Sequence, residues 1–149
     1  MDLSPVNEDT MSLRMEHANL TVTSIEDAKA FLKLAFPEFS QRGEGRPDTK
    51  RWVHFGTDET YIALEEMLEK TSTDRKPHQD PGINHIGFVI DDVEGMAARM
   101  SQGGYRTGEV HVEGEGPYRK RVYIFDGVGN EWEFVEYLSD DPVKANVYE

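Results

Sequence analysis

The chain has 149 residues, a length suited to one domain, and 16 Lys and Arg against 29 Asp and Glu leave it a formal charge of −13. Such an excess of carboxylates repels phosphate backbones and anionic lipid, so no nucleic-acid or membrane partner is expected. With no Cys there are no disulfides, thiolate nucleophiles, iron–sulfur clusters or Cys-type zinc sites, and any metal must be held by His and carboxylates. The mean hydropathy is −0.66, and no apolar run approaches the ~18 residues that a membrane helix needs. The opening MDLSPVNEDT has neither the basic nor the apolar region of a secretory signal, so the expected location is cytoplasmic.

Residues 1–14 are polar, contain Pro5 and keep no period, which predicts a flexible N-terminal arm. From His17 to Val22 polar and apolar residues alternate, the signature of a strand with Leu20 and Val22 on its core face. Ser24 and Asp27 resemble a capping box, and Ile25, Ala28, Leu32, Ala35 and Phe36 then recur at helical spacing until Pro37. A weak strand is expected near Phe39 to Arg42, followed by a hairpin of Trp52–Gly56 and Tyr61–Glu65 around residues 57–60. Residues 67–82, charged and punctuated by Pro77, Pro81 and Gly82, read as a linker, and 139–149 as an acidic tail.

After the linker the pattern restarts. His17 falls over His85, Leu20 over Phe88, Val22 over Ile90 and Ser24 over Asp92, at an offset of 85 − 17 = 68. Further on, Phe55 is set over Phe125, Ile62 over Trp132 and Leu64 over Phe134, at an offset of 70. The chain thus reads as two tandem βαβββ modules, 15–66 and 83–138. One parity of the repeated strands is apolar. The other carries His17, Asn19, Arg51, Tyr61, Ala63, Glu65, His85, Gly87, Arg121, Tyr123, Glu131 and Glu133, and polar groups sharing a sheet face must be hydrated, paired or bound to something. That face is the candidate site. Asn19, Arg51, Tyr61, Arg121 and Tyr123 are its candidate substrate contacts; the two arginines either neutralise neighbouring carboxylates or grip an anion. His54, His78 and His111 read as ordinary polar residues, and Gly114-Glu115-Gly116-Pro117 as a loop able to act as a lid.

His17 in HANLTV, His85 in NHIGFVIDD and the terminal strand DGVGNEWEFVEY, in that order on a repeat, resemble the vicinal oxygen chelate superfamily, the glyoxalase/bleomycin-resistance/dioxygenase group. The resemblance covers about residues 15–138. It implies an α+β fold in which the two modules form a curled mixed-sheet cup around a divalent metal ion (Mn, Fe, Ni or Zn). It also implies His17, His85 and Glu133 as metal ligands. The fourth ligand position of glyoxalase-like members falls on Ala63, which has no donor, so open coordination positions are expected.

The function this implies is a metal-dependent lyase/isomerase or dioxygenase acting on a small substrate with vicinal oxygens, with Glu65 or Glu131 as the general base. The alternative is a metal-free protein that sequesters a small molecule, as bleomycin-resistance members do; an acidic protein with aromatic residues on that face suits a cationic ligand. Fosfomycin modification is not expected, because the stretch beyond Glu133 is acidic, Leu138-Ser139-Asp140-Asp141. A twofold homodimer is expected in either case.

Overall fold

In the computed structural model, which describes residues 13–48, 50–67 and 74–148, the alternating stretch His17–Val22 forms strand β1 and Ile25–Ala35 forms helix α1. Strands β2 (Ser40–Gly45), β3 (Lys50–Gly56) and β4 (Tyr61–Met67) complete the first module. The second contains β5 (His85–Val89), α2 (Val93–Gln102), β6 (Arg106–Thr107), β7 (His111–Glu113), β8 (Arg119–Phe125) and β9 (Glu131–Tyr137), and is followed by the one-turn helix α3 (Pro142–Ala145). The architecture is α+β, with two mixed sheets in the orders β1-β4-β3-β2 and β5-β9-β8-β6, and β7 paired to β8. In each sheet the first strand runs parallel to the last, while the remaining pairs are antiparallel. Residues 1–12 of the expected N-terminal arm and 68–73 of the expected linker lie outside the described residues. Among the described residues no helix is long and apolar enough to cross a membrane.

Both helices start by the same device. Ser24 accepts from the Asp27 amide and Asp92 accepts from the Gly95 amide, each capping one of the free N–H groups of a first turn. A second free amide is taken from across the module: Glu66, at the end of β4, accepts from Ile25 N at 2.7 Å, and Glu136, its repeat equivalent in β9, accepts from Val93 N at 3.0 Å. A carboxylate at a helix N-terminus also meets the positive end of the helix dipole. Glu66→Ala and Glu136→Ala are each expected to lower stability by about 1–2 kcal/mol in chemical denaturation, whereas Glu59→Ala, in the exposed β3–β4 turn, should change it by less than about 0.5 kcal/mol.

A single hydrophobic core joins the modules. Ile25, Phe31, Leu32 and Ala35 of α1, Val53, Ile62 and Leu64 of the first sheet, Val93, Met96 and Met100 of α2, and Val122, Ile124, Trp132 and Phe134 of the second sheet are all at most 2% exposed. Aromatic contacts cross the repeat boundary: Phe31 lies 5.7 Å from Trp132, and Phe36 lies 4.7 Å from Phe88 and 5.7 Å from Phe134 between ring centroids. Arg99 of α2 donates to the carbonyls of Leu34 and Ala35 at the end of α1.

One part of the repeat alignment needs correction. Phe55 pairs with Ile62 as Ile124 pairs with Trp132, so β3 and β8 match at an offset of 124 − 55 = 69, while β4 and β9 keep 70. The cause is turn length. Four residues, 57–60, separate Gly56 from its partner Tyr61, whereas five, 126–130, separate Phe125 from Glu131. The longer turn is built on Asp126, whose carboxylate accepts from the amides of Val128 and Asn130 and from Trp132 Nε1, with Gly129 in the left-handed region at φ 89°. Shifting β3 by one residue exchanges its two faces. Arg51, expected on the polar face, is therefore on the helix-covered side and pairs with Glu26 of α1 at 3.0 Å.

Candidate functional site

The helix-free face of the first sheet is aromatic. In register across β3, β4 and β1 it presents the rows Gly56–Tyr61–His17, His54–Ala63–Asn19 and Trp52–Glu65–Thr21. The rings follow one another in sequence: Trp52 lies tilted by 45° against His54 at 4.8 Å, His54 stacks on Tyr61 at 4.7 Å, and Tyr61 stacks on His17 at 4.7 Å with only 14° between planes. The Arg42 guanidinium sits 4.2 Å from the Tyr61 ring centre, and Gly45 leaves space for Trp52, whose Nε1 would come within 2.4 Å of an added Cβ. Beside this stack a cleft of about 220 Å³ opens between the sheets, lined by Glu16, His17 and Tyr61 on one side and by Gly87, Phe88 and Val89 of β5 on the other. Glu16 stands 2.9 Å from His17 Nδ1, and hydrogen bonding to that imidazole holds its carboxyl below the usual range, so the cleft carries a fixed negative charge.

The helix-free face of the second sheet is ionic. His85 Nε2 lies 3.1 Å from Glu133 Oε2, and Arg121 approaches the other oxygen of Glu133 at 3.8 Å. Arg121 also donates to the Tyr123 hydroxyl at 3.0 Å and pairs with Glu113 of β7 at 2.7 Å. Burial, with the Glu133 charge next in weight among the raising causes, pushes the Tyr123 phenol up, so it remains protonated at neutral pH. Glu131 is taken up by His78, whose Nε2 is 2.6 Å from its carboxylate.

Of the expected site residues, the structure brings His85, Glu133, Arg121 and Tyr123 into one contact network. His17 belongs instead to the aromatic stack with Tyr61, and Asn19 donates to Glu65 at 3.4 Å. Glu65 also receives Lys50 at 2.8 Å, so neither expected general base is without a partner. The residues present fit a divalent ion poorly. Ala63, at the fourth ligand position, is 3% exposed between Asn19 and His54, and a guanidinium already faces Glu133. Among the described residues no three His, Asp or Glu side chains form a group able to hold a metal.

Two members of this face escape the sequence reading. His54 reads as an ordinary polar residue until the 57–60 turn is counted as one residue shorter than its counterpart, which moves it beside Ala63. His78 lies in the expected linker, and its φ of 67°, the one positive value of a non-glycine among the described residues, has no signature in the local sequence.

The Lys50 ammonium, by hydrogen bond and charge, holds the Glu65 carboxyl below its ordinary value. A carboxyl whose folded pKa is lowered adds stability that is present above the unfolded pKa and lost as pH falls through the folded one. The melting temperature of the native chain should therefore exceed that of Lys50→Met at pH 6–7. The gap should close as pH is lowered from about 5 to 3, and a constant gap over that range would mean that the pair contributes nothing through Glu65 ionisation.

Solved structures with the same fold include the glyoxylase/bleomycin resistance protein/dioxygenase domain from Frankia sp. EAN1pec, at 18% identity and TM-score 0.70, covering 85% of this chain and 99% of that one. The glyoxalase family protein APC24694 from Bacillus cereus matches at 20% identity and TM-score 0.70, over 87% and 97% of the two chains. A mutant of the fosfomycin resistance protein FosX from Listeria monocytogenes, complexed with Mn(II) and 1S,2S-dihydroxypropylphosphonic acid, matches at 18% identity and TM-score 0.61, over 91% and 99%. At these identities the likeness is one of fold alone. No curated protein matches the chain. The family model of the Glyoxalase/Bleomycin resistance protein/Dioxygenase superfamily matches residues 14–134, and the chain belongs to that superfamily.

Proposed function

We propose that this protein binds a planar, positively charged small molecule without a metal, with the exposed face of the His17 ring as its stacking platform. The observation that carries the reading is the ring series Trp52–His54–Tyr61–His17, which ends at a cleft whose rim holds the ionised Glu16. A flat cation entering that cleft extends the stack, gaining aromatic contact and burying area, while Glu16 and the net charge of −13 favour its approach. Ala63 in place of a donor and the Arg121 guanidinium beside Glu133 support metal independence. A second reading, the metal-dependent lyase/isomerase or dioxygenase, draws its support from the His85–Glu133 contact. A twofold homodimer belongs to either reading, since β1, β2 and β5 each end a sheet path; light scattering should then give a mass near twice 17.0 kDa.

The test is calorimetric titration with N-methylquinolinium, against quinoline-2-carboxylate as the anionic control, each with and without EDTA. The cation should bind and the anion should not. His17→Ala should weaken the cation roughly five- to tenfold, the worth of one stacking contact with its area. Equal binding of both probes, or an unchanged affinity in His17→Ala, argues against the proposal; binding abolished by EDTA favours the metal-dependent reading.

A further inference from the structure

Arg119 is the one charged residue buried among the described residues, at 5% exposure, and its role lies outside the site above. It stands on β8 two residues from Arg121, on the same helix-free face, and both guanidiniums share the single carboxylate of Glu113. Its Nε has no hydrogen-bond partner, while Nη1 and Nη2 both reach the chain's own C-terminal segment. Nη1 donates to the Ala145 carbonyl at 3.3 Å, Nη2 donates to the Val147 carbonyl at 3.2 Å, and the Tyr148 ring covers the guanidinium at 4.5 Å. One carbonyl oxygen on Nη1 and one on Nη2, with Glu113 also on Nη2, stand in for the two oxygens that a carboxylate or phosphate offers an arginine fork. Carbonyls, however, bring dipoles where an oxyanion brings charge.

The segment has little else to hold it. Helix α3 is four residues long and buries none of them, Val143 is 76% exposed and Tyr148 is 69% exposed. Beyond the Arg119 contacts, Lys144 lies over the Tyr118 ring at 5.5 Å. We infer that the Arg119 fork is an oxyanion-binding site, and that the C-terminal segment is its resident, displaceable occupant. The ligand class is a small molecule or chain terminus bearing a carboxylate or phosphate, bound end-on by Nη1 and Nη2 in place of the two carbonyls, while Glu113 holds the guanidinium in position.

The experiment compares the full chain with one stopped after Leu138, titrated calorimetrically with acetate and with inorganic phosphate at constant ionic strength. The shortened chain should bind at least one probe tenfold or more tightly than the full chain does. Which of the two it prefers identifies the oxyanion. Arg119→Lys in the shortened chain should abolish the gain, because an ammonium lacks the planar fork. Binding that persists in Arg119→Lys overturns the assignment, as does a shortened chain that melts cooperatively and binds neither probe. Should the shortened chain fail to melt cooperatively, hydrogen exchange on the full chain decides. Phosphate is expected to speed exchange of the Asn146 and Val147 amides at least threefold over sodium chloride of equal ionic strength, and equal rates overturn the inference.

Discussion

Phe31→Ala should cost about 3–5 kcal/mol, the largest single-residue loss of stability expected in this chain. Phe31 is 1% exposed, with its ring edge-on to Tyr105 at 4.8 Å and tilted against Trp132 at 5.7 Å, so truncation empties a space walled by both modules. Against a typical total of about 5–15 kcal/mol this is roughly a fifth or more, and at about 2–4 °C per kcal/mol for this size the melting temperature should fall by roughly 6–20 °C. The same geometry predicts how the chain unfolds. The two tryptophans stand one in each sheet, so ¹⁹F resonances from 5-fluorotryptophan at Trp52 and Trp132 should lose native intensity at the same denaturant concentration. Separate midpoints would show that the repeats fold as independent units and that the contacts of Phe31 and Phe36 across the boundary do not couple them.

How far the sequence reaches toward this structure can be judged strand by strand. The parity of β1, β4 and β9 is legible because Val22, Ile62, Leu64, Trp132 and Phe134 fall on the repeated large-apolar parity of their strands, and each is buried as that period requires. Helix starts are legible for the same reason: a side-chain cap is local, and Ser24 and Asp92 act within three residues of themselves. The face of β3 is not legible in this way because it depends on a turn length, and nothing within Trp52–Gly56 itself distinguishes an offset of 69 from one of 70. That one residue decides whether Arg51 or His54 belongs to the candidate site.

What the sequence hides elsewhere is long-range pairing. Glu66 and Glu136 look like ordinary strand carboxylates in an acidic chain, yet each reaches about 40 residues back along the chain to a helix amide. The acidic tail offers no hint that the carbonyls of Ala145 and Val147 meet Arg119, since carbonyls are common to every residue. In the expected linker, His78 is placed by its amide donating to Asn84 Oδ1 at 2.7 Å, a contact that only the folded turn creates. Periodicity therefore finds which residues share a face, whereas the partners that tune each of those residues come from the three-dimensional register.

Ala63→Glu puts the two functional readings to a direct test, because it supplies the donor missing from the repeat-equivalent of Glu133. The new carboxylate would enter a position 3% exposed, flanked in register by Asn19 and His54, with Asn19 already donating to Glu65. Burying a charge without a dedicated partner costs roughly 3 kcal/mol, so the variant should melt well below the native chain at pH 7. A divalent ion held by the introduced carboxylate together with His17, His85 and Glu133 would repay that cost, since a ligand at a hundred times its dissociation constant stabilises by about 2.7 kcal/mol. The geometry predicts no such repayment. His17 is stacked on Tyr61 beside Glu16, and bringing a divalent cation to Glu133 would set it against the Arg121 guanidinium. Millimolar Mn²⁺ should accordingly leave the melting temperatures of native, Ala63→Glu and Ala63→Leu chains where they were. If Mn²⁺ raises that of Ala63→Glu alone, the four side chains do close on an ion, and the metal-dependent reading replaces the one proposed above.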